Sequence, residues 1–165
     1  MLQGLPPLLG PHTRVLILGS FPGVRSLELQ QYYAHPQNQF WRLVFNAISV
    51  PSAIEYCGRS YEIRSKLLLE LGLGAWDVYA ACERSGSLDS AITQAQPNDL
   101  ASLRARCPQL QAIAHNGGES YKHAKHTLQL GLPVYKLPSS SPAHASWSFE
   151  RKLAVWRSVL QAHLK

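Results

Sequence analysis

Val15-Leu16-Ile17-Leu18-Gly19-Ser20-Phe21-Pro22-Gly23, followed after a short spacer by Tyr33-Ala34-His35-Pro36-Gln37-Asn38-Gln39-Phe40-Trp41, decides how this chain folds. Four branched apolar residues in a row read as a strand buried on both faces, and the Gly, Ser, Pro, Gly cluster stops it in a tight loop. In open parallel sheets a ligand binds outside the carboxyl ends of the strands. Polar and aromatic groups placed just after this strand therefore stand where a pocket forms. From Gln39 onward Phe40, Trp41, Val44, Phe45 and Ile48 recur at helical spacing, so Asn38 stands just before a helix that Pro51 ends.

Outward from that stretch, strands and helices alternate. The first strand is predicted over 14–18, after a lead-in that holds Pro6, Pro7, Gly10 and Pro11 and shows no periodicity. A helix is predicted over 61–71, with Ile63, Leu67, Leu68 and Leu71 on one face and Gly72 behind it. A strand over 74–79 enters a loop over 80–87 that contains Cys82, Glu83 and Arg84. A helix follows over 99–106, capped by Asn98 or Asp99 and closed before Pro108. Next come a strand over 110–115, broken by Asn116-Gly117-Gly118, a polar helix over 119–130 and a strand over 133–137. The final helix, 148–164, carries Leu153, Trp156, Leu160 and Leu164 on one stripe and Arg151, Lys152 and Arg157 elsewhere. This alternation predicts one α/β domain spanning residues 1–165, with a mostly parallel sheet covered by helices on both faces.

The composition narrows the class. A chain of 165 residues buries a core without disulfides or metal. No apolar run approaches the roughly 20 residues of a membrane span, and the amino terminus has no secretory pattern, so a cytoplasmic protein is the expectation. Cys57, Cys82 and Cys107 form no CxxC pair, which fits reduced thiols and argues against a zinc or iron–sulfur site. Lys and Arg number 16 against 10 Asp and Glu. That excess suits a phosphate backbone, although the positive residues are scattered rather than clustered.

Gly-Ser-Phe-Pro-Gly followed by Gln30-Gln31-Tyr32-Tyr33-Ala34-His35-Pro36-Gln37-Asn38-Gln39-Phe40-Trp41 resembles the first motif region of the uracil-DNA glycosylase superfamily, and within it the hypoxanthine-DNA glycosylase branch. Leu137-Pro138-Ser139-Ser140-Ser141-Pro142-Ala143-His144-Ala145 resembles the second motif. The resemblance covers nearly the whole chain. It implies a three-layer α/β/α fold around a four-stranded sheet, with the two motif loops side by side at one end. The implied activity is hydrolytic removal of a deaminated base from DNA, with hypoxanthine first and uracil or a G:U/T mismatch as the alternative. The implied enzyme is a monomer whose partner is DNA and which needs no metal, cofactor or membrane.

Asn38 reads as a helix cap on spacing alone, whereas the resemblance implies that it is the catalytic residue, orienting water through its amide oxygen. Cleavage of an N-glycosidic bond tolerates so weak a base because its transition state has oxocarbenium character. Negative charge on the departing base then needs donors, for which Ser20 and the Gly19–Gly23 backbone are candidates; their alternative is a plain turn. Phe21 occupies the position where mismatch-specific relatives carry Asn. Phe21 and Phe40 are candidates for stacking a flipped base, and Phe40 matches the superfamily's stacking aromatic. Asn116 either ends a strand in a turn or reads the Watson–Crick edge of the base. In the second motif Ser139 stands where better-known members have His or Asn, leaving His144 to replace it or to meet a phosphate. Gly23, Ser139, Ser140 and Ser141 complete the expected DNA contacts, and Ala143 is too small for a wedge. Asp77 reads as a cap or a tie to a loop, Arg84 and Asp89 as loop ties, and His123 and His126 as surface residues. No lysine stands in either motif, which disfavours a Schiff-base mechanism. A nucleotide-binding module is the rival class; the first loop lacks both G-x-G-x-x-G and the Walker pattern.

Overall fold

The computed structural model describes residues 1–164. In chain order the elements are β1 (Leu2–Gln3), β2 (Val15–Gly19), α1 (Val24–Leu29), α2 (Phe40–Ala47), α3 (Ala53–Cys57), α4 (Tyr61–Glu70), β3 (Leu73–Asp77) and β4 (Tyr79–Glu83). They continue with β5 (Thr93–Pro97), α5 (Leu103–Arg106), β6 (Ala112–Asn116), α6 (Gly118–Tyr121), α7 (Ala124–Leu128), β7 (Val134–Leu137) and α8 (Phe149–His163). The main sheet has the order β3-β2-β6-β7, and every pairing in it is parallel.

The run Val15–Gly19 is buried throughout because β2 lies inside this sheet, flanked by β3 and β6. Alternate side chains go to opposite faces. Val15 and Ile17 join Phe40, Phe45, Trp156 and Leu160 from α2 and α8, while Leu16 and Leu18 join Leu100, Leu103 and Ile113 on the other side. Helices thus cover both faces, as the alternating pattern predicts. Ser148 caps α8 by accepting the Arg151 N–H at 3.2 Å, and Trp156 on its inner stripe is wholly buried while its indole N–H reaches the Pro138 carbonyl at 2.9 Å. A buried ring of that size stabilises the fold by roughly 2–3 kcal/mol.

The structure departs from the sequence reading on the flank. Residues 80–87 are not all loop: β4 runs to Glu83 and pairs with both β1 and β5 in a small antiparallel sheet. β5 is polar and exposed along its whole length, so it carries no apolar alternation to betray it. The lead-in holds β1, and Leu8 bridges Ala75. The predicted helix over 119–130 is broken into α6 and α7, and α1 was not signalled. Val78 separates β3 from β4, its N–H reaching the Gly19 carbonyl at 2.9 Å while the Tyr79 N–H reaches Ser20 at 3.2 Å. The loop after β2 is thereby pinned to the bend between the two sheets.

Candidate active site

A cavity of about 530 Å3 opens at the carboxyl ends of the main-sheet strands, lined by the loops that follow β2, β6 and β7, by Asp77, and by residues 87–90. Of the residues expected to act on the base or the DNA, all but Phe40 line it; Arg84, His123 and His126, read from the sequence as loop tie and surface residues, do not. The two motif loops are fastened together. Gln39 N–H donates to the Ser140 carbonyl at 2.9 Å, and its side-chain oxygen accepts from Lys152 Nζ at 3.0 Å. Lys152, assigned to the outer side of its helix by the sequence, is buried, and desolvation lowers its pKa.

Asn38 lies half-buried on the cavity wall. Gln39, not Asn38, is the cap residue of α2, yet the Asn38 Oδ1 accepts the Phe40 N–H at 3.0 Å. Both readings of this residue therefore have a footing. The bond fixes the amide plane, and a carbonyl oxygen has a second lone pair for another donor.

Phe40 is not at the cavity surface. It is wholly buried, and Tyr33 lies across it with ring centroids 4.0 Å apart at an angle of 14°. The aromatic face offered to the cavity on this wall belongs to Tyr33, which lines it. Tyr33 adopts φ 54°, a left-handed conformation that a non-glycine residue rarely takes, and the stack and the hydroxyl contacts hold it there. Phe21 does line the cavity, nearly buried, with the Arg84 guanidinium 5.3 Å from its ring centroid. Arg84 donates to the Pro22 carbonyl at 2.6 Å, tying its own loop to the first motif.

Asn116 ends β6 with its amide already engaged. Nδ2 donates to Tyr33 Oη at 3.2 Å and to Ser140 Oγ at 2.9 Å, and Oδ1 accepts the Ser140 N–H at 3.0 Å. Both amide hydrogens are spent, so Asn116 has no donor left for a base. It is a clasp between the motif loops, and Ser140, 1 % exposed, is its other half rather than a phosphate donor. The strand that presents it is itself anchored: His115 is buried between the hydroxyls of Ser120 and Thr127, each at 2.8 Å, and desolvation lowers its pKa to about 4. Gly117 takes φ 93°, and a Cβ there would lie 3.2 Å from Ser139 Cβ, so the glycine lets the two loops close up.

Carboxyls crowd the other wall. Ser20 donates to Asp89 Oδ1 at 2.6 Å, which commits the hydroxyl that the sequence offered to the departing base. Asp77 is 4 % exposed, and its Oδ2 has no hydrogen-bond partner among the described residues. Burial pushes its pKa up to about 7, with Asp89 adding to the rise and Arg84 opposing it. Burial raises Asp89 as well. That Asp77 and Asp89 share one cavity is not legible in the chain's local pattern: the turn at residues 85–87 carries Asp89 back over the first motif, where the Val24 N–H donates to Ser87 Oγ at 2.9 Å.

In the second motif Ser139 and Ser141 accept backbone N–H groups from Ser141 and Ala143, at 3.1 and 3.2 Å, and face the mouth with Gly23 and the exposed His35. His144 is half-buried, its Nε2 is unpartnered, and desolvation followed by Lys152 and Lys136 lowers its pKa. Its surroundings thus disfavour the protonated imidazole. Among the described residues no group of three His, Cys, Asp or Glu is placed to hold a metal ion, and no helix is long and apolar enough to cross a membrane.

A sheet whose strand ends carry two facing motif loops and a half-buried Asn on the wall of an open cavity belongs to a class that the sequence match defines: the chain is a member of the uracil DNA glycosylase superfamily, whose family model matches residues 6–161. Within that class it is similar to two proteins named hypoxanthine DNA glycosylase. One, from Methanosarcina acetivorans, is 36 % identical over 159 residues, covering 96 % of this chain and 98 % of the relative; the other, from Methanosarcina barkeri, is 34 % identical over the same span and coverage. The solution NMR structure of a Methanosarcina acetivorans protein, studied as a candidate uracil DNA glycosylase, superposes with a TM-score of 0.86 at 36 % identity, covering 97 % of this chain and 96 % of that one.

Proposed function

We propose that this protein is a monofunctional DNA glycosylase that extrudes a deaminated base, hypoxanthine foremost, and hydrolyses its N-glycosidic bond. The observation that carries the reading is Asn38: an amide at the cavity wall, held in one orientation by the Phe40 N–H and able to accept from a water as well. The water attacks the sugar carbon as the base departs. The flipped base lies against Tyr33 on one side and Phe21 on the other, and main-chain N–H groups of the loop after β2 receive the charge that develops on it. The names of the two Methanosarcina relatives support hypoxanthine as the base. Ser139, Ser141, Gly23 and His144 at the mouth meet the backbone of the DNA, and the positive balance of the chain adds sequence-independent affinity. The protein acts as a single-domain monomer in the cytoplasm.

The reading is tested with end-labelled duplexes carrying one hypoxanthine, uracil or xanthine, incubated with wild type and Asn38→Ala and then treated with hot alkali. Cleavage strongest at hypoxanthine and lost in the variant is the expected result. No abasic product on any duplex overturns the reading. Uracil is the second base to test, because the superposed structure is that of a candidate uracil DNA glycosylase; cleavage strongest there would keep the chemistry and replace the substrate.

A further inference from the structure

Among the described residues that line the cavity, Asp77 and His144 each keep a buried polar atom without a partner, and Asp77 is the one of the two that stands at a strand end. A carboxyl that merely capped a turn or tied a loop would have its oxygens filled, because a buried acceptor without a donor costs roughly 1–3 kcal/mol. Here the tying is done by the Asp77 backbone, whose carbonyl accepts Asn98 Nδ2 at 2.8 Å, while Oδ2 of the side chain accepts nothing. Arg84 makes no ion pair with it: Nε and Nη2 donate to the Gly86 and Pro22 carbonyls, and Nη1 is unpartnered. Gly19 lets the carboxyl come close to the first motif: a Cβ there would sit 2.5 Å from Asp77 Oδ1 and 3.0 Å from the Tyr33 hydroxyl. Asn116, the other polar group at a strand end, has no donor to spare.

We propose that Asp77 is the specificity-determining residue of this site, accepting from the base the ring N–H that deamination creates. The inference rests on the glycosylase reading above. Adenine offers N1 as a bare lone pair beside an amino group; hypoxanthine offers N1–H beside a carbonyl, and uracil differs from cytosine in the same way at N3. The ionised carboxylate accepts the N–H and repels the lone pair, so the discrimination is that of the deprotonated form. The site therefore takes bases with a lactam N–H and rejects their amino parents, and it reads the chemical change common to deaminated bases rather than ring size. Asp77 touches the base and leaves the water to Asn38.

The test compares single-turnover excision from two duplexes, one with 2′-deoxyinosine and one with its N1-methyl derivative, which lacks the donor. Wild type should prefer the unmethylated base by about tenfold or more, as a site built around a hydrogen bond does. Asp77→Ala should bring the two rates together, and Asp77→Asn, which keeps an acceptor oxygen, should retain the preference. Asp77→Val serves in the same role as the alanine variant if that one fails to fold, which circular dichroism will show. Equal rates for wild type on both duplexes, or an undiminished preference in Asp77→Ala or Asp77→Val, overturn the inference while leaving the glycosylase reading standing. No excision of either base by wild type removes the glycosylase reading and this inference with it.

Discussion

Asn116 and Ser140 bind each other twice: Nδ2 donates to Oγ at 2.9 Å, and Oδ1 accepts the Ser140 N–H at 3.0 Å. The pair is the rivet between the end of β6 and the second motif. Asn116→Ala would leave a buried N–H and hydroxyl unmatched and should lower stability by roughly 2–4 kcal/mol, read as a fall in urea midpoint at unchanged slope. Loss of excision without any loss of stability would show instead that the amide serves the base directly.

Asp77 makes stability depend on pH. Its carboxyl has an ordinary pKa of 3.8 and is raised to about 7 in the fold, first by burial and then by Asp89. The folded chain holds that proton more tightly than the unfolded one, so the favourable contribution is complete below about pH 4 and is lost as pH rises through 7. Asp77→Asn removes the titration. Thermal melts should therefore show the variant level with wild type at pH 4 and more stable at pH 8, by roughly 2–4 kcal/mol. A gain that is the same at both values would mean that Asp77 is already ionised and satisfied in the fold.

Tyr33 and Phe40 should separate binding from stability. Phe40 is wholly buried beneath Tyr33, so Phe40→Ala opens a core cavity and should cost roughly 3–5 kcal/mol of stability. Tyr33→Ala removes the face offered to the base and should weaken binding of duplex containing an abasic-site or base analogue, as well as excision, while costing the fold less. Denaturant titration and a binding isotherm on both variants decide the matter; equal destabilisation of the two would contradict the layering.

Gly19→Ala is the smallest change that should close the site. The added methyl would meet Asp77 Oδ1 at 2.5 Å, closer than real Cβ contacts come. Excision of hypoxanthine should fall by about tenfold or more, while circular dichroism stays that of a folded α/β protein. Wild-type rates in this variant would mean that the carboxyl can turn aside at no cost.

Much of this was legible in the sequence because it is local. The run Val15–Leu18 gives a fully buried strand wherever it falls in a parallel sheet, and the Gly-Ser-Phe-Pro-Gly loop must follow it. The stripe Leu153, Trp156 and Leu160 gives α8 in the same way. β5 was not legible, since Thr93–Pro97 exposes every side chain and shows no apolar alternation. The site divided along the same line. Asn38, Ser20, Phe21 and Asn116 sit in short motifs and so stand out in the sequence, but which of their atoms are already bonded is a question of partners far away in the chain. Asn116 is spent on Ser140, Ser20 on Asp89, and Phe40 is hidden by Tyr33. Lys152 looked like surface charge until the fold carried it against Gln39.

That contact between Gln39 and Lys152 spans 113 positions, and it holds the residue next to Asn38. During synthesis, at roughly 5–20 residues per second, the motif that carries the amide leaves the ribosome many seconds before its holder exists. The order of manufacture is then also a delay: a half-made chain has the amide but not the lysine that holds its neighbour.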